Sequence, residues 1–195
     1  MKVFVRRLTD WQNVLNSART TVGKDSLEKQ PTEKFRKAIL ISEHSPIRAL
    51  LFEVIWEEIP YYVAMHLRTH SIGFMSGEDD LYFVQTQRTD RTQKKRDKLA
   101  QNAPVRLRVV INAHSIINIS RVRLCRLADP FTRKAWQEFI QRLSFVEPMI
   151  TELSVPNCVY RNFCPEGIKC CGYNKTDVFK DEQRFYRKFV NKQEK

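Results

Sequence analysis

The side chains that could do chemistry gather between Tyr61 and Arg91, in YYVAMHLRTHSIGFMSGEDDLYFVQTQRTDR. His66, Arg68, His70 and Ser71 form a first cluster, and Thr86, Gln87, Arg88 and Arg91 a second; the acidic loop Ser76-Gly77-Glu78-Asp79-Asp80 lies between them. Guanidinium forks, imidazoles and hydroxyls of this kind suit a phosphate, or the edge of a pyrimidine or flavin ring. All four histidines, His44, His66, His70 and His114, stand beside polar clusters. His66 and His70 have the i, i+4 spacing that can share a metal, but no Glu follows His66 as in H-E-x-x-H. Both are therefore read as hydrogen-bonding groups, and no metal site is expected. There is no nucleophile elbow, Walker loop or dinucleotide-binding glycine motif, and with only 5 glycines the chain must bind phosphate through arginine.

Two elements have to bring these clusters together. Ile59 to Met65 is apolar and starts at Pro60, which predicts a helix with His66 and Arg68 near its end; YFVQTQR alternates like a short strand. Upstream, Met1 to Arg7 reads as a strand. Thr9 reads as the cap of a helix carrying Trp11, Val14, Leu15 and Ala18 on one face and ended by Gly23. Lys24 to Gln30 looks like a linker, Pro31 or Thr32 begins a short helix ending near Ile41, and Ser42 to Pro46 makes a turn. Ile47 to Glu58 then reads as a strand with Phe52, Val54 and Trp56 facing one way. The basic segment TDRTQKKRDKLAQNAP is expected to be helical in its middle, and Val105, Leu107 and Val109 alternate with Arg106 and Arg108 as a strand with one wet face.

Asn112 then caps a long helix, NAHSIINISRVRLCRLA, with Ile116, Ser120 and Arg123 on one stripe. Asn112 and Arg123 return to nearly the same side after about three turns, ~16 Å of rise, so a ligand as long as a dinucleotide could touch both. Asp129-Pro130 restarts a helix whose Trp136, Phe139, Ile140 and Leu143 read as core. A cysteine-rich loop and a basic helix or tail follow.

A chain of 195 residues can bury a core as one domain of ordinary size, and 42% hydrophobic with 29% charged residues describes a globular protein. No apolar run approaches a bilayer's thickness and no secretory signal opens the chain, so a cytoplasmic location, in a bacterium or a phage-infected host, is expected. The charge of +12 concentrates in Arg88 to Arg108 and in Lys175 to Lys195. Such runs fit a nucleic-acid backbone, a mononucleotide phosphate or an anionic cofactor alike. The five cysteines, Cys125, Cys158, Cys164, Cys170 and Cys171, are odd in number and lack paired C-x2-4-C spacing, so they read as reduced thiols packed in a compact loop.

Four segments in order, SEHSPIR, VQTQR, NAHSIINISRVRLC and VPNCVYRNFCPEGIKCCG, resemble the flavin-dependent thymidylate synthases, the ThyX family, and particularly its shorter phage-like members. The similarity spans about Met1 to Tyr173. It implies an α+β fold, a mostly antiparallel sheet packed with long helices, in a catalytic region 1–175 followed by a basic tail or helix, 176–195. The expected reaction is methylation of dUMP to dTMP, with methylenetetrahydrofolate as carbon donor and NADPH recharging FAD. The expected assembly is a homotetramer with sites shared between subunits; neither a membrane nor nucleic acid is the expected partner.

By the same resemblance, Arg123 falls on the arginine that engages and polarises the uracil, the catalytic position. Asn112 and Asn118, in the family's N-x5-N-x4-R spacing, fall on FAD contacts, with His114 beside them; His44 and Pro46 match the family's E-H turn near the flavin. Thr86-Gln87-Arg88 matches its S-Q-R, for the dUMP phosphate, and Arg96 another nucleotide-binding arginine. The family's R-H-R triplet is altered: aligning on H-S-I-G puts Thr69, His70 and Ser71 there, as cofactor contacts, with His66 as a substrate contact, while an H-x-R alignment would use Arg68. Val84 stands where the family has glutamate, and His114 where it has arginine or glutamine. These departures leave two alternatives open: a ThyX-like enzyme acting on another pyrimidine nucleotide or transferring another C5 group, and a non-catalytic basic nucleic-acid-binding protein.

Overall fold

The computed structural model describes residues 1–71 and 80–191, with Ser71 described by its backbone alone. The H-S-I-G register beyond Ser71, most of the acidic loop before Asp80, the Ser71 side chain and the last four residues of the basic tail lie outside the described residues. The chain runs β1 (Lys2–Arg7), α1 (Trp11–Thr20), α2 (Glu33–Ile41), a 3-10 turn (Ser45–Ala49), β2 (Leu51–Pro60), α3 (Tyr61–Arg68), a second 3-10 turn (Thr69–Ser71) and β3 (Leu81–Val84). It continues with α4 (Thr89–Thr92), a 3-10 turn (Arg96–Lys98), β4 (Pro104–Asn112), α5 (Ala113–Arg123), α6 (Pro130–Leu143), α7 (Pro148–Leu153), α8 (Asn157–Arg161), a last 3-10 turn (Tyr173–Lys175) and α9 (Asp177–Asn191). The α+β class holds: the strands form one antiparallel sheet in the order β1-β2-β4-β3, packed with helices.

Strand alternation decides which face is dry. Phe52, Val54 and Trp56 on β2 and Leu107, Val109 and Ile111 on β4 are buried against the helices, as their period of two predicts. On the opposite face Phe4, Ile55, Arg108 and Phe83 fall in register across the four strands, with Phe4 and Phe83 exposed. Glu53 on that face pairs with Arg6 and with Arg108, whose guanidinium approaches to 2.5 Å. The core proper is aromatic. Trp56, Trp136 and Phe139 meet in stacked and edge-on pairs at 4.9–6.4 Å. Each indole N–H is satisfied: Trp11 by Glu147, Trp56 by the Ala135 carbonyl, and Trp136 by the Ser120 hydroxyl at 2.9 Å. An unpaired buried N–H would cost about 1–3 kcal/mol at each position.

Several boundaries differ from the sequence reading. Asp10, not Thr9, caps α1, its carboxylate accepting from the Gln12 and Asn13 amides while the Asn13 side-chain oxygen accepts from the Asp10 amide. The Thr9 hydroxyl is engaged elsewhere, donating to the Ala49 carbonyl and accepting from the Leu51 amide, so it ties β1 to β2. Ile47 is buried in a 3-10 turn rather than in the strand, because Pro46 sets a helical φ at the start of that turn; β2 begins only at Leu51. In the basic segment Gln93, at φ 57°, ends the single turn of α4, and the middle is helical only as the short 3-10 turn Arg96–Lys98. The helix after Asn112 stops at Arg123, where turns at Cys125 and Ala128 swing the chain towards α6. That early stop is what places Arg123 in a last helical turn, where the helix dipole favours a cation. The C-terminal segment forms α9, which buries Phe179 and Tyr186. Among the described residues no helix is long and apolar enough to cross a membrane.

Candidate active site

Arg123 is where the two halves of the sequence reading meet. From the end of α5 its Nη2 donates to the His66 carbonyl at 2.7 Å and to the Thr69 hydroxyl at 3.3 Å, and its Nε donates to His70 Nε2 at 2.5 Å. All three acceptors come from the end of α3 and the turn after it, so Pro60, by starting α3, fixes where the guanidinium is caught. Because Nε donates, His70 Nε2 must be a bare acceptor and the ring proton sits on Nδ1. Burial and then the neighbouring Arg123 charge push the His70 pKa down to about 4, so the ring is neutral at pH 7. Burial also pulls Arg123 down, opposed by Tyr82 and Asp129. Tyr82, on β3, is pushed well above its ordinary range by burial and then by Asp80.

A second polar chain stands behind His66. The Asp129 carboxylate caps α6, accepting from the Thr132 amide at 2.8 Å and from the Thr132 hydroxyl at 2.9 Å. Thr132, fully buried, lies 3.0 Å from His66 Nδ1. Since its hydroxyl proton goes to Asp129, His66 Nδ1 has to donate. Burial acts to raise the Asp129 pKa, but the Thr132 bonds outweigh it and hold the carboxyl below its usual range. Tyr62 packs edge-on against the His66 ring at 5.6 Å. Two histidines four residues apart are thus oriented by different partners, His70 accepting from Arg123 and His66 donating to Thr132.

The other face of α5 carries His114, Asn118 and Arg121. Arg121 Nη1 donates to Asn118 Oδ1 at 2.7 Å, so the Asn118 amide nitrogen faces His114 Nε2 at 3.2 Å. Arg121 also pairs with Glu43, which takes a left-handed φ of 50°, and stacks 3.7 Å over the Tyr160 ring. With Nε2 accepting, the His114 proton lies on Nδ1, a buried atom with no hydrogen-bond partner among the described residues. Burial, then Arg48, holds the His114 pKa below its ordinary value. His44 is exposed and Pro46 buried at the 3-10 turn packed on α5.

The residues that could hold a flavin therefore divide. His114, with an orphaned N–H, Asn118 and the exposed His44 fit a group rich in ring acceptors. Asn112 does not offer itself so readily: its amide nitrogen and backbone N–H both donate to Asp80 at 3.1 Å, and its oxygen caps Ser115 at 2.9 Å. It is buried, and Asp80, which holds it, also acts on Tyr82 beside Arg123. Thr86, Arg88 and Arg96 are exposed and Gln87 half-buried. Arg88 forks onto Asp90 at 2.8 and 3.0 Å, and Thr86 accepts from the Arg88 amide. Among the described residues none of these four hydrogen-bonds Arg123, His66 or His70 within the chain.

Tyr82, Asp129, Thr132, Glu43 and Arg121 were not legible as site residues. Asp129-Pro130 signals a helix start, but nothing local says that the capping carboxylate also orients a histidine on α3.

No family model and no curated protein matches the chain. Solved structures do. Flavin-dependent thymidylate synthase ThyX from Helicobacter pylori, complexed with FAD and dUMP, matches with a TM-score of 0.57 at 13% identity over 73% of this chain and 94% of that one. A second structure of that enzyme with FAD and dUMP gives 0.58 at 13% over 77% and 99%. The UMP/dUMP methylase PolB from Streptomyces cacaoi, bound with 5-Br dUMP, gives 0.57 at 11% over 83% and 96%. At such identities the likeness establishes a ThyX-like fold.

Proposed function

We propose that this protein is an FAD-dependent thymidylate synthase, converting dUMP to dTMP with methylenetetrahydrofolate as carbon donor and NADPH as reductant. The observation that carries the reading is Arg123, a half-buried guanidinium held by His66, Thr69 and His70 at the end of α5. A fixed cation in a partly dry site stabilises negative charge developing on a uracil ring without a cysteine adduct. Neutral His70 accepts a hydrogen bond from Arg123 and adds no competing positive charge, while Thr132 orients His66. When bound, reduced FAD would supply the hydride; His44, Pro46, Thr69, His70, Ser71, Asn112, His114 and Asn118 would contact it. Arg88 and Arg96, exposed and remote from Arg123 in hydrogen bonding, would meet the dUMP phosphate, with Thr86 and Gln87, in a homotetramer whose sites are shared between subunits. The reading places residues 1–175 as the catalytic region, 176–195 as its C-terminal tail, and the protein in a cytoplasm.

The test is direct: purified protein is expected to bind FAD with yellow absorbance that shifts on adding dUMP, and to form dTMP from the full reaction mixture. A colourless protein giving no dTMP under these conditions would reject the proposal. A second reading, transfer to another pyrimidine nucleotide or of another C5 group, is favoured by Val84 and the altered triplet, and the PolB neighbour is a methylase of UMP as well as dUMP. Product masses from dUMP, UMP and dCMP separate the two.

A further inference from the structure

The chain's five cysteines, scattered from 125 to 171, converge on one cavity of about 250 Å³ beneath the C-terminal end of α5. Cys125 enters from the turn after α5 and Cys158 from α8, while Cys164, Cys170 and Cys171 come from the loop between α8 and the last 3-10 turn. Their surroundings differ. Cys158 is buried and its thiol is pushed up to about 11, first by burial, so it stays protonated and inert. Cys170 and Cys171 are exposed, and Cys164 is half-buried.

We propose that Cys164 and Cys170 are a thiol–disulfide exchange site, in which Cys170 attacks a small disulfide and Cys164 resolves it into an internal bridge. The two side chains already share a hydrogen bond, across the loop Pro165-Glu166-Gly167-Ile168-Lys169. Cys170 Sγ also accepts from the Gly172 amide at 3.3 Å and donates to Asn174 Oδ1 at 3.2 Å. The Gly172 N–H, then the Cys164 thiol and Lys175, lower the Cys170 pKa. Cys164, although a bond from the Glu166 backbone acts the other way, is raised through its sharing with Cys170. The exposed Cys170 is thus the sulfur that a backbone N–H favours as the nucleophile, with Cys164 beside it as the resolving partner, an arrangement that packing alone does not require.

In the exchange, Cys170 thiolate bonds to one sulfur of RSSR and the S–S bond breaks, releasing RS⁻. Cys164 then loses its proton to solvent and attacks Cys170 Sγ, displacing the second RS⁻. Two protein thiols are oxidised to one disulfide and RSSR is reduced to two RSH. The bridge closes the loop at the cavity's outer wall, next to Tyr173, on whose ring Arg126 stacks at 3.9 Å.

The test uses the full-length protein in graded mixtures of reduced and oxidised glutathione. Oxidation is expected to remove two hydrogens from the intact mass and to lower the alkylatable thiols from five to three. Tryptic mapping should join the peptide ending at Lys169 to the one beginning at Cys170, with Cys171 alkylated. C171S should still form the bridge, C170S should not, and C164S should retain a glutathione adduct on Cys170. A Cys170–Cys171 bridge, a bridge that survives in C170S, no bridge at the most oxidising ratio, or thiols shielded by one equivalent of copurified zinc would each overturn the proposal.

Discussion

Replacing Arg123 by alanine tests both the catalytic reading and the electrostatics behind it. Three bonds are lost at once, to His66, Thr69 and His70. Because the site is half-buried rather than sealed, the two side-chain acceptors regain water, and the cost in stability should be about 1–3 kcal/mol. The His70 pKa, now about 4, owes more to burial than to Arg123, so removing the charge recovers less than half of the gap to 6.5 and should bring it to about 5. If the guanidinium stabilises charge on the uracil, kcat for dTMP should fall by about 10²–10³, as for other preorganised donors, with a smaller change in KM. Arg123→Lys keeps the charge but cannot fork, and should recover only part of the rate. NMR titration of His70 and steady-state kinetics on the same preparations give both readouts. A variant whose His70 titrates as expected but whose kcat is unchanged would show that the geometry is right and the catalytic role wrong.

Thr132→Val keeps shape but removes the hydroxyl between Asp129 and His66, and should cost about 1–2 kcal/mol in urea denaturation. Asp129 has a depressed folded pKa, so its contribution is full above the unfolded value and lost as pH falls through the folded one; in Thr132→Val that loss should begin at higher pH. Glu53 is likewise depressed, first by its bond to Arg6 and against burial, so the wild type should lose stability as pH falls through that value. Glu53→Gln should flatten this acid limb in pH-dependent melts and, since both arginines are largely exposed, cost only about 1 kcal/mol at pH 7. Asn118→Ala frees His114 and Arg121 from their shared contact, and FAD titration should show about tenfold weaker binding with dUMP affinity little changed.

Local pattern carried the strands and most helices because their signals are local. Alternation at Phe52, Val54 and Trp56 and at Val105, Leu107 and Val109 named the dry face before any partner strand was known. Asn112 was legible as a cap for the same reason, a short polar side chain ahead of an apolar run. Thr9 misled because two capping residues stand side by side, and only the approach of β2 decides which hydroxyl or carboxylate is already engaged. The candidate site divides along that line. Sequence supplied Arg123, His66, His70, His114 and Asn118 as residue types at suggestive spacings. It could not supply Asp129 behind His66, Asp80 on Asn112, or Glu43 on Arg121, since each pair lies 32 to 78 positions apart and is joined, directly or through Thr132, by bonds that exist only once helices and sheet have packed. The cysteines make the same point: their spacing determined nothing, whereas the turn that ends α5 brings Cys125 round to the cavity wall shared with the other four.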